Sequence, residues 1–251
     1  SASAPRQRSE SATALLAAAG SGERLGAGGP KALVALAGRP MLAWSLEAFV
    51  RSARVDSVVI AAPPGEEAEV ERAVSADCLP LAISIVAGGA SRSESVSVAL
   101  AAATAEIVAV HDAARPLVTS ELIDELVGKL AARPDADGVI AGAPLTDTVK
   151  RAREPRPAGG EFPRGGPTIA TTESRDHLWA AQTPQVFRAD KLRAALDADP
   201  QRVAAATDDA MLVEKAGGKV LIHPAPAENL KITTPFELRL AEILLQERAA
   251  R

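Results

Sequence analysis

The sequence has no tyrosine, aromatic residues make up only 2% of it, and it holds one cysteine, Cys78. So few aromatics leave little from which to build the base-stacking platforms that hold single-stranded nucleic acid. A lone cysteine excludes an intrachain disulfide and a thiolate metal cage, and imposes no oxidising compartment. Cys78 reads as a passive buried thiol. No uninterrupted apolar run approaches the roughly 18 residues of a membrane span, and the polar opening stretch lacks the apolar segment of a secretory signal. These features lead us to expect a flexible tail over residues 1–11, a cytoplasmic location and no membrane partner. Excess positive charge is lacking too: with a net charge of −4, a nucleic-acid partner is not expected, and a polyanionic ligand must meet a local cluster of Lys and Arg.

What is present is an ordinary globular composition, 47% hydrophobic and 24% charged, long enough for one large α/β domain. From Ala12 short apolar runs alternate with segments of helical period, the pattern of right-handed βαβ crossovers and a mostly parallel sheet. Strands are expected near Ala12–Ala18, Ser57–Ala61, Ile83–Ala87, Ile107–His111 and Gly138–Ala143, with helices at Pro40–Arg51, Glu66–Ala73, Ser93–Ala103 and Ser120–Ala132. Leu122, Ile123, Leu126, Val127 and Leu130 form the sheet-facing stripe of the last of these, and Thr119 or Ser120 caps it. Between Lys150 and Thr168 periodicity stops and prolines and glycines gather. That stretch is either a loop or an extended β-arm flanked by Thr146–Arg151 and Thr168–Thr172. Helices at Ala189–Leu196, Asp208–Ala216 and Pro235 to about Arg248, and a strand at Lys219–His223, complete one domain over 12–251.

Three segments carry chemistry. The first expected strand runs into Ala18-Ala19-Gly20-Ser21-Gly22-Glu23-Arg24, followed by Pro30-Lys31. Glycines there let backbone N–H groups face an anion, Arg24 and Lys31 add positive charge, and a loop beyond the carboxyl end of a parallel strand is where open α/β sheets bind ligands. The spacing fits neither the Rossmann fingerprint nor the P-loop. At the end of the fourth strand, His111-Asp112-Ala113-Ala114-Arg115 sets a carboxylate where a magnesium ion could take it together with substrate phosphates, although an Asp–Arg turn would read the same way. After the third strand, Gly88-Gly89-Ala90-Ser91-Arg92-Ser93-Glu94-Ser95 places glycines before a hydroxyl-rich first turn, which also suits plain helix capping.

Together with Asp147-Thr148-Val149-Lys150, Arg175, Gln182-Thr183-Pro184-Gln185, Thr207-Asp208-Asp209-Ala210 and Asn229-Leu230-Lys231-Ile232-Thr233, these blocks resemble the 2-C-methyl-D-erythritol 4-phosphate cytidylyltransferase family of the nonmevalonate isoprenoid pathway. The likeness spans roughly residues 12–245. It implies a three-layer, Rossmann-like nucleotidyltransferase fold with a protruding β-arm over 146–172 that serves dimerisation, and CTP with Mg²⁺ as co-substrate and cofactor. By the resemblance, Arg24, Lys31 and Lys231 are catalytic. Ala18, Ala19, Gly20, Gly22, Gly88, Ser95 and Ala113 surround the nucleotide, and Asp112 binds the metal with Arg115 in support. Thr148, Arg175 and Thr183 line the polyol-phosphate pocket, Arg175 arriving from the other subunit of a homodimer. Ala17 stands where many members have proline, and the arm tip at 154–167 is longer than usual.

The reaction so implied joins a substrate phosphate oxygen to the α-phosphorus of CTP and expels pyrophosphate, a task of positioning and electrostatics that needs no general base. His111, His177 and His223 therefore read as structural or peripheral. Trp179 and Phe187 read as core residues, and Asp208 with Asp209 as a helix-capping pair. Two rivals are a cytidylyltransferase for another polyol phosphate, such as ribitol 5-phosphate, and a non-catalytic nucleotide-binding regulator. A hydrolytic or redox enzyme is disfavoured, because no nucleophile with an adjacent base and no dinucleotide fingerprint occurs.

Overall fold

The apolar runs and helical stripes fold, in chain order, into β1 (Ala12–Ala17), a short hairpin of β2 (Ala35–Leu36) and β3 (Arg39–Pro40), α1 (Met41–Arg51), β4 (Val55–Ala62), α2 (Glu67–Ser75), β5 (Ala82–Ala87), α3 (Arg92–Ala102), β6 (Ile107–Asp112), α4 (Ser120–Ala131) and β7 (Gly138–Pro144). There follow β8 (Lys150–Ala152), β9 (Ile169–Thr172), β10 (Trp179–Arg188), α5 (Ala189–Leu196), α6 (Pro200–Ala204), α7 (Asp209–Lys215), β11 (Val220–Pro224) and α8 (Pro235–Ala249). The structure is a computed structural model that describes residues 11–20, 29–75, 81–155, 166–198 and 200–249. The expected tail up to residue 10, the arm tip at 156–165, and Gly22, Arg24 and Cys78 lie outside the described residues.

Seven strands form one sheet in the order β11-β7-β10-β6-β1-β4-β5. All neighbours are parallel except β10, which runs antiparallel to both β6 and β7. The chain lays β4 and β5 on one side of β1 and then crosses to lay β6 on the other, so the strand order reverses at β1. Such a reversal opens a crevice at the carboxyl edge.

Successive side chains of a strand point to opposite faces, and β1 shows the effect: Leu16 joins Phe49 of α1 and Ile123 of α4 on one side, while Leu15 joins Val96 and Leu100 of α3 and Leu192 of α5 on the other. The sheet is thus the middle of three layers. The predicted stripe of α4 is buried throughout, and Thr119 is its cap, accepting from the Leu122 amide. A third cluster, made by Leu36, Met41, Leu117, Ile232, Ala241 and Leu245, fastens α8 beside the carboxyl edge of the sheet.

Sequence reasoning missed β10. Its polar Gln182 and Gln185, with Pro184 between them, break the alternation by which a strand is recognised, and proline is normally kept out of interior strands. The structure accommodates it by a register shift against β7 between Ala181 and Gln185, where the Thr183–Pro184 bond is cis. Of the two readings for the excursion after β7, the β-arm is the one formed: β8 and β9 pair antiparallel with Lys150 opposite Thr172. The pairing starts at Lys150, later than the expected Thr146. Trp179 also departs from expectation, being 37% exposed, whereas Phe187 is fully buried.

One carboxylate ties the layers where α1 turns into β4. Asp124 of α4 accepts from Ser52 Oγ at 2.6 Å, the Ala53 amide at 3.1 Å and the Arg54 amide at 3.0 Å. Hydrogen bonds to a charged acceptor are worth more than neutral ones. We expect Asp124→Ala to lower unfolding free energy by about 1–3 kcal/mol in urea titrations; an unchanged midpoint would show that water replaces the carboxylate at no cost.

Candidate active site

The crevice at the reversal point is a cleft of about 580 Å³. Its floor is the chain leaving β1, Ala17 to Gly20, and one wall is the turn Asp112 to Ala114 leaving β6. The opposite wall is the approach to α3, Gly89 to Arg92, with Ser95 on the helix's first turn; Lys31, Lys231 and Thr233 complete the lining. Parallel register sets the floor and the β6 wall side by side, since Ala17 pairs with Asp112 and the Ala113 amide donates to the Ala17 carbonyl at 3.1 Å. The Gly20 carbonyl in turn accepts from the Lys31 amide at 3.1 Å, which sets Lys31 beside the floor.

The α3 wall is built from local hydrogen bonds. Ser91 caps the helix by accepting from the Glu94 amide, and Ser95 Oγ accepts from the Gly89 amide while donating to the Ser91 carbonyl. Capping, one of the two sequence readings, is therefore present, and it also shapes the cleft. A Cβ on Gly88 would stand 2.8 Å from Ala19 Cβ and 2.9 Å from both the Ala62 carbonyl oxygen and Ser95 Oγ. Glycine suits the position because the chain leaving β1, the end of β4 and the start of α3 converge on it.

The electrostatics centre on Asp112. One of its oxygens meets Arg92 Nε at 2.8 Å and the other Lys231 Nζ at 2.6 Å. Burial alone would raise this carboxyl, yet the Arg92 and Lys231 cations hold it well below the usual carboxylate range. Arg92 also reaches Asp209 Oδ2 at 2.8 Å through Nη1. Asp209 is fully buried, and burial pushes its carboxyl up. This corrects the capping assignment: Asp208 is the cap, accepting from the Met211 amide at 3.0 Å, whereas Asp209 faces inward as the counterion of Arg92.

Behind Asp112 lies a buried polar layer. Thr183 Oγ1 accepts from the Asp112 amide at 3.1 Å and stands 3.0 Å from His111 Nδ1, while His111 Nε2 lies 3.2 Å from the Arg115 carbonyl. Burial lowers the His111 pKa to about 3, so the ring is a neutral structural link. Arg115 donates to the Asn229 carbonyl at 2.8 Å, and burial lowers its pKa. Asn229 Nδ2 donates to Gln182 Oε1 at 2.9 Å and to the Thr183 carbonyl at 2.8 Å, which ties the segment bearing Lys231 to β10. At the start of α8, Thr234 and Glu237 form a capping box: Glu237 Oε2 accepts from the Thr233 and Thr234 amides, and Thr234 Oγ1 from the Glu237 amide.

Of the residues expected at the site, Ala18, Ala19, Gly20, Lys31, Ser95, Asp112, Ala113 and Lys231 line the cleft. Gly88 packs just behind its wall, and Thr183 and Arg115 are in the supporting layer. Thr148 and Arg175 are on the exposed arm base, where Arg175 donates to the Thr146 carbonyl. The residue that sequence reasoning missed is Arg92. The signal was available: two consecutive acids begin α7, only one can cap it, and the second needs a cation.

For a divalent cation, the described residues offer no group of three or more His, Cys, Asp or Glu. Asp112 can contribute one hard oxygen, and each of its oxygens is already engaged by a cation. The donor set therefore fits an ion held chiefly by phosphate oxygens and water, with a single protein carboxylate, and does not fit a protein-only cage.

The sequence matches, over residues 12–247, the model of a family described as 2-C-methyl-D-erythritol 4-phosphate cytidylyltransferase. It is 44% identical to the protein of that name from Streptomyces avermitilis over 94% of this chain and 92% of that one. A namesake from Synechococcus sp. is 40% identical over 93% of this chain and 97% of its own. Among solved structures, the 2-C-methyl-D-erythritol 4-phosphate cytidylyltransferase of Thermus thermophilus superposes with a TM-score of 0.69 at 32% identity, covering 94% of this chain and 99% of that one.

The cleft geometry makes a packing prediction of its own. Gly88→Ala is expected to cost about 1–3 kcal/mol of stability, whereas Gly20→Ala, whose Cβ would meet nothing within 4 Å among the described residues, should stay within about 0.5 kcal/mol. Thermal unfolding of the two variants decides; equal midpoints would mean that the α3 wall yields freely.

Proposed function

Since this chain belongs to the 2-C-methyl-D-erythritol 4-phosphate cytidylyltransferase family, we infer that its cleft joins CTP to 2-C-methyl-D-erythritol 4-phosphate, releasing pyrophosphate and 4-diphosphocytidyl-2-C-methyl-D-erythritol. The observation that carries the reading is the pair of lysines, Lys31 from the β1 loop and Lys231 from the segment before α8, lining one cleft with Asp112 between a parallel-strand floor and the capped start of α3.

A phosphate monoester oxygen of the acceptor is already a nucleophile. It forms a new bond to the α-phosphorus as the bond to the bridging oxygen breaks, and the electron pair leaves with pyrophosphate. What the protein supplies is orientation and positive charge at the reacting groups. Lys31 is assigned to the triphosphate, and so is Arg24, seven residues before it in sequence. Lys231 is assigned to the acceptor phosphate, so that the two polyanions are held by different segments. Ala18, Ala19, Gly20, Gly22, Gly88, Ser95 and Ala113 are assigned to the nucleotide, and Thr148, Thr183 and Arg175 to the acceptor, with Arg115 in support of Asp112. Asp112 is the residue that would hold Mg²⁺ together with phosphate oxygens; when bound, such an ion spreads the triphosphate charge.

Arg175 is assigned to the acceptor yet does not line the cleft of its own chain, which is why we also propose a homodimer in which each arm serves the other subunit's cleft. A cytoplasmic location accompanies the reading. No helix among the described residues is long and apolar enough to cross a membrane.

The test is pyrophosphate release from CTP, ATP, GTP and UTP with methylerythritol phosphate or ribitol 5-phosphate. Turnover should be confined to CTP with methylerythritol phosphate, and preference for ribitol phosphate would overturn the acceptor. Lys31→Ala should lower kcat by about 10²–10³-fold, the usual cost of one preorganised charge-stabilising group, with unfolding unchanged. Near-normal turnover would remove Lys31 from the chemistry.

A further inference from the structure

A buried charge needs a reason. Asp209 is fully buried at the start of α7, whose Ala210, Leu212 and Val213 belong to the core cluster on the α3 side of the sheet. Its oxygens receive no well-aligned hydrogen bond among the described residues, and Arg92 Nη1, at 2.8 Å, is its ion-pair partner. Carrying a carboxylate into such surroundings is costly, and an apolar residue of similar volume there is often neutral or stabilising. Retention of the charge is thus poorly explained by stability.

The other end of Arg92 supplies the explanation. Its Nε is 2.8 Å from Asp112 Oδ1, and the remaining Asp112 oxygen is 2.6 Å from Lys231 Nζ. The four groups form a chain of alternating sign, Asp209, Arg92, Asp112 and Lys231, that runs from the core to the cleft surface. Without Asp209, the guanidinium would keep one carboxylate partner and could turn its fork toward any phosphate in the cleft, taking its hydrogen bond from Asp112 as it went. With Asp209, Nη1 is anchored inward, Nε stays on Asp112, and the carboxylate holds the lysine at its outer oxygen. The chain sums to zero charge, so the cation it leaves able to exchange onto a phosphate is the one at its exposed end.

We propose that Asp209 is a positioning residue: acting through Arg92, it fixes Asp112 so that Lys231 is presented to the acceptor phosphate. The proposal deepens the transferase reading and rests on it. A role through Lys231 has a signature that general loosening of the fold lacks, because two changes acting on one chain do not multiply.

The experiment measures pyrophosphate release for wild type, Asp209→Asn, Lys231→Gln and the double variant, with melting midpoints for all four. We expect Asp209→Asn to lower kcat about 10–100-fold and raise KM for the acceptor while KM for CTP moves by less than about threefold. In the Lys231→Gln background the same change should cost less than about threefold. Full multiplication of the two losses, or a loss confined to KM for CTP, overturns the proposal.

Should Asp209→Asn fail to fold, the paired replacement Arg92→Met with Asp209→Leu removes both buried charges at once. A folded, slow double variant supports positioning. A folded variant with wild-type kcat, or one that also fails to fold, overturns it. A wild-type chain inert toward CTP with every polyol phosphate identifies the transferase reading itself as the failure, and the proposal falls with it.

Discussion

The carboxylate of Asp112 is the constraint around which the site is organised. Arg92 is 20 residues before it in sequence and Lys231 is 119 after it, and a single side chain holds both. A cleft meant for two polyanions needs cations, and cations gathered without a counterion would repel one another and destabilise the folded state. Asp112 offsets that repulsion. Because it ends β6, next to β1 in the middle of the sheet, its position is fixed by strand register, among the stiffest elements the chain has.

The sheet alone would leave Asp112 poorly supported, and β10 supplies the remainder. An antiparallel strand beside β6 brings Thr183 under the Asp112 backbone amide and Gln182 toward Asn229. The register shift between Ala181 and Gln185 turns polar side chains inward at this point, and each finds a partner there. Gln185 donates to Asp208 at 2.8 Å and accepts from the Ala210 amide at 3.1 Å, so the strand also positions the start of α7, where Asp209 stands. Such a layer is costly if half satisfied and rigid if filled.

How much of this could be read from the residues depended on whether the signal was local. Strands β1, β4, β5, β6 and β7 are apolar runs bounded by polar turns, and α4 announces itself through a stripe that packs as written. The glycine-rich floor and the His111–Arg115 block were legible because ligand loops follow parallel strands. By contrast, β10 was hidden, since its residues answer to partners on β6, α7 and the segment before α8 instead of to an alternating face. Arg92 and Asp209 were passed over for a related reason: each looked like a local helix-terminus residue, and although the doubled acid at the start of α7 signals a need for a cation, which cation answers it is a tertiary fact. Thr148 and Arg175 remain on the arm base in the single chain, where the sequence gives their identity but not their destination.

The segment from Asn229 through α8 shows how a functional side chain can depend on a core of its own. Lys231 belongs to none of the strands of the main sheet. It is brought to the cleft by Ile232, which is fully buried in the third cluster with Leu117, Ala241 and Leu245, by the Ile232 amide donating to the Ala114 carbonyl at 2.8 Å, and by the capping box that fixes where α8 begins. Asn229 anchors the other side of the same segment to β10. The lysine is held between an apolar clamp and a polar one, both built from side chains outside the cleft lining. Precision at the cleft is therefore a property of packing several residues away, and it is there that substitutions far from the chemistry would be felt first.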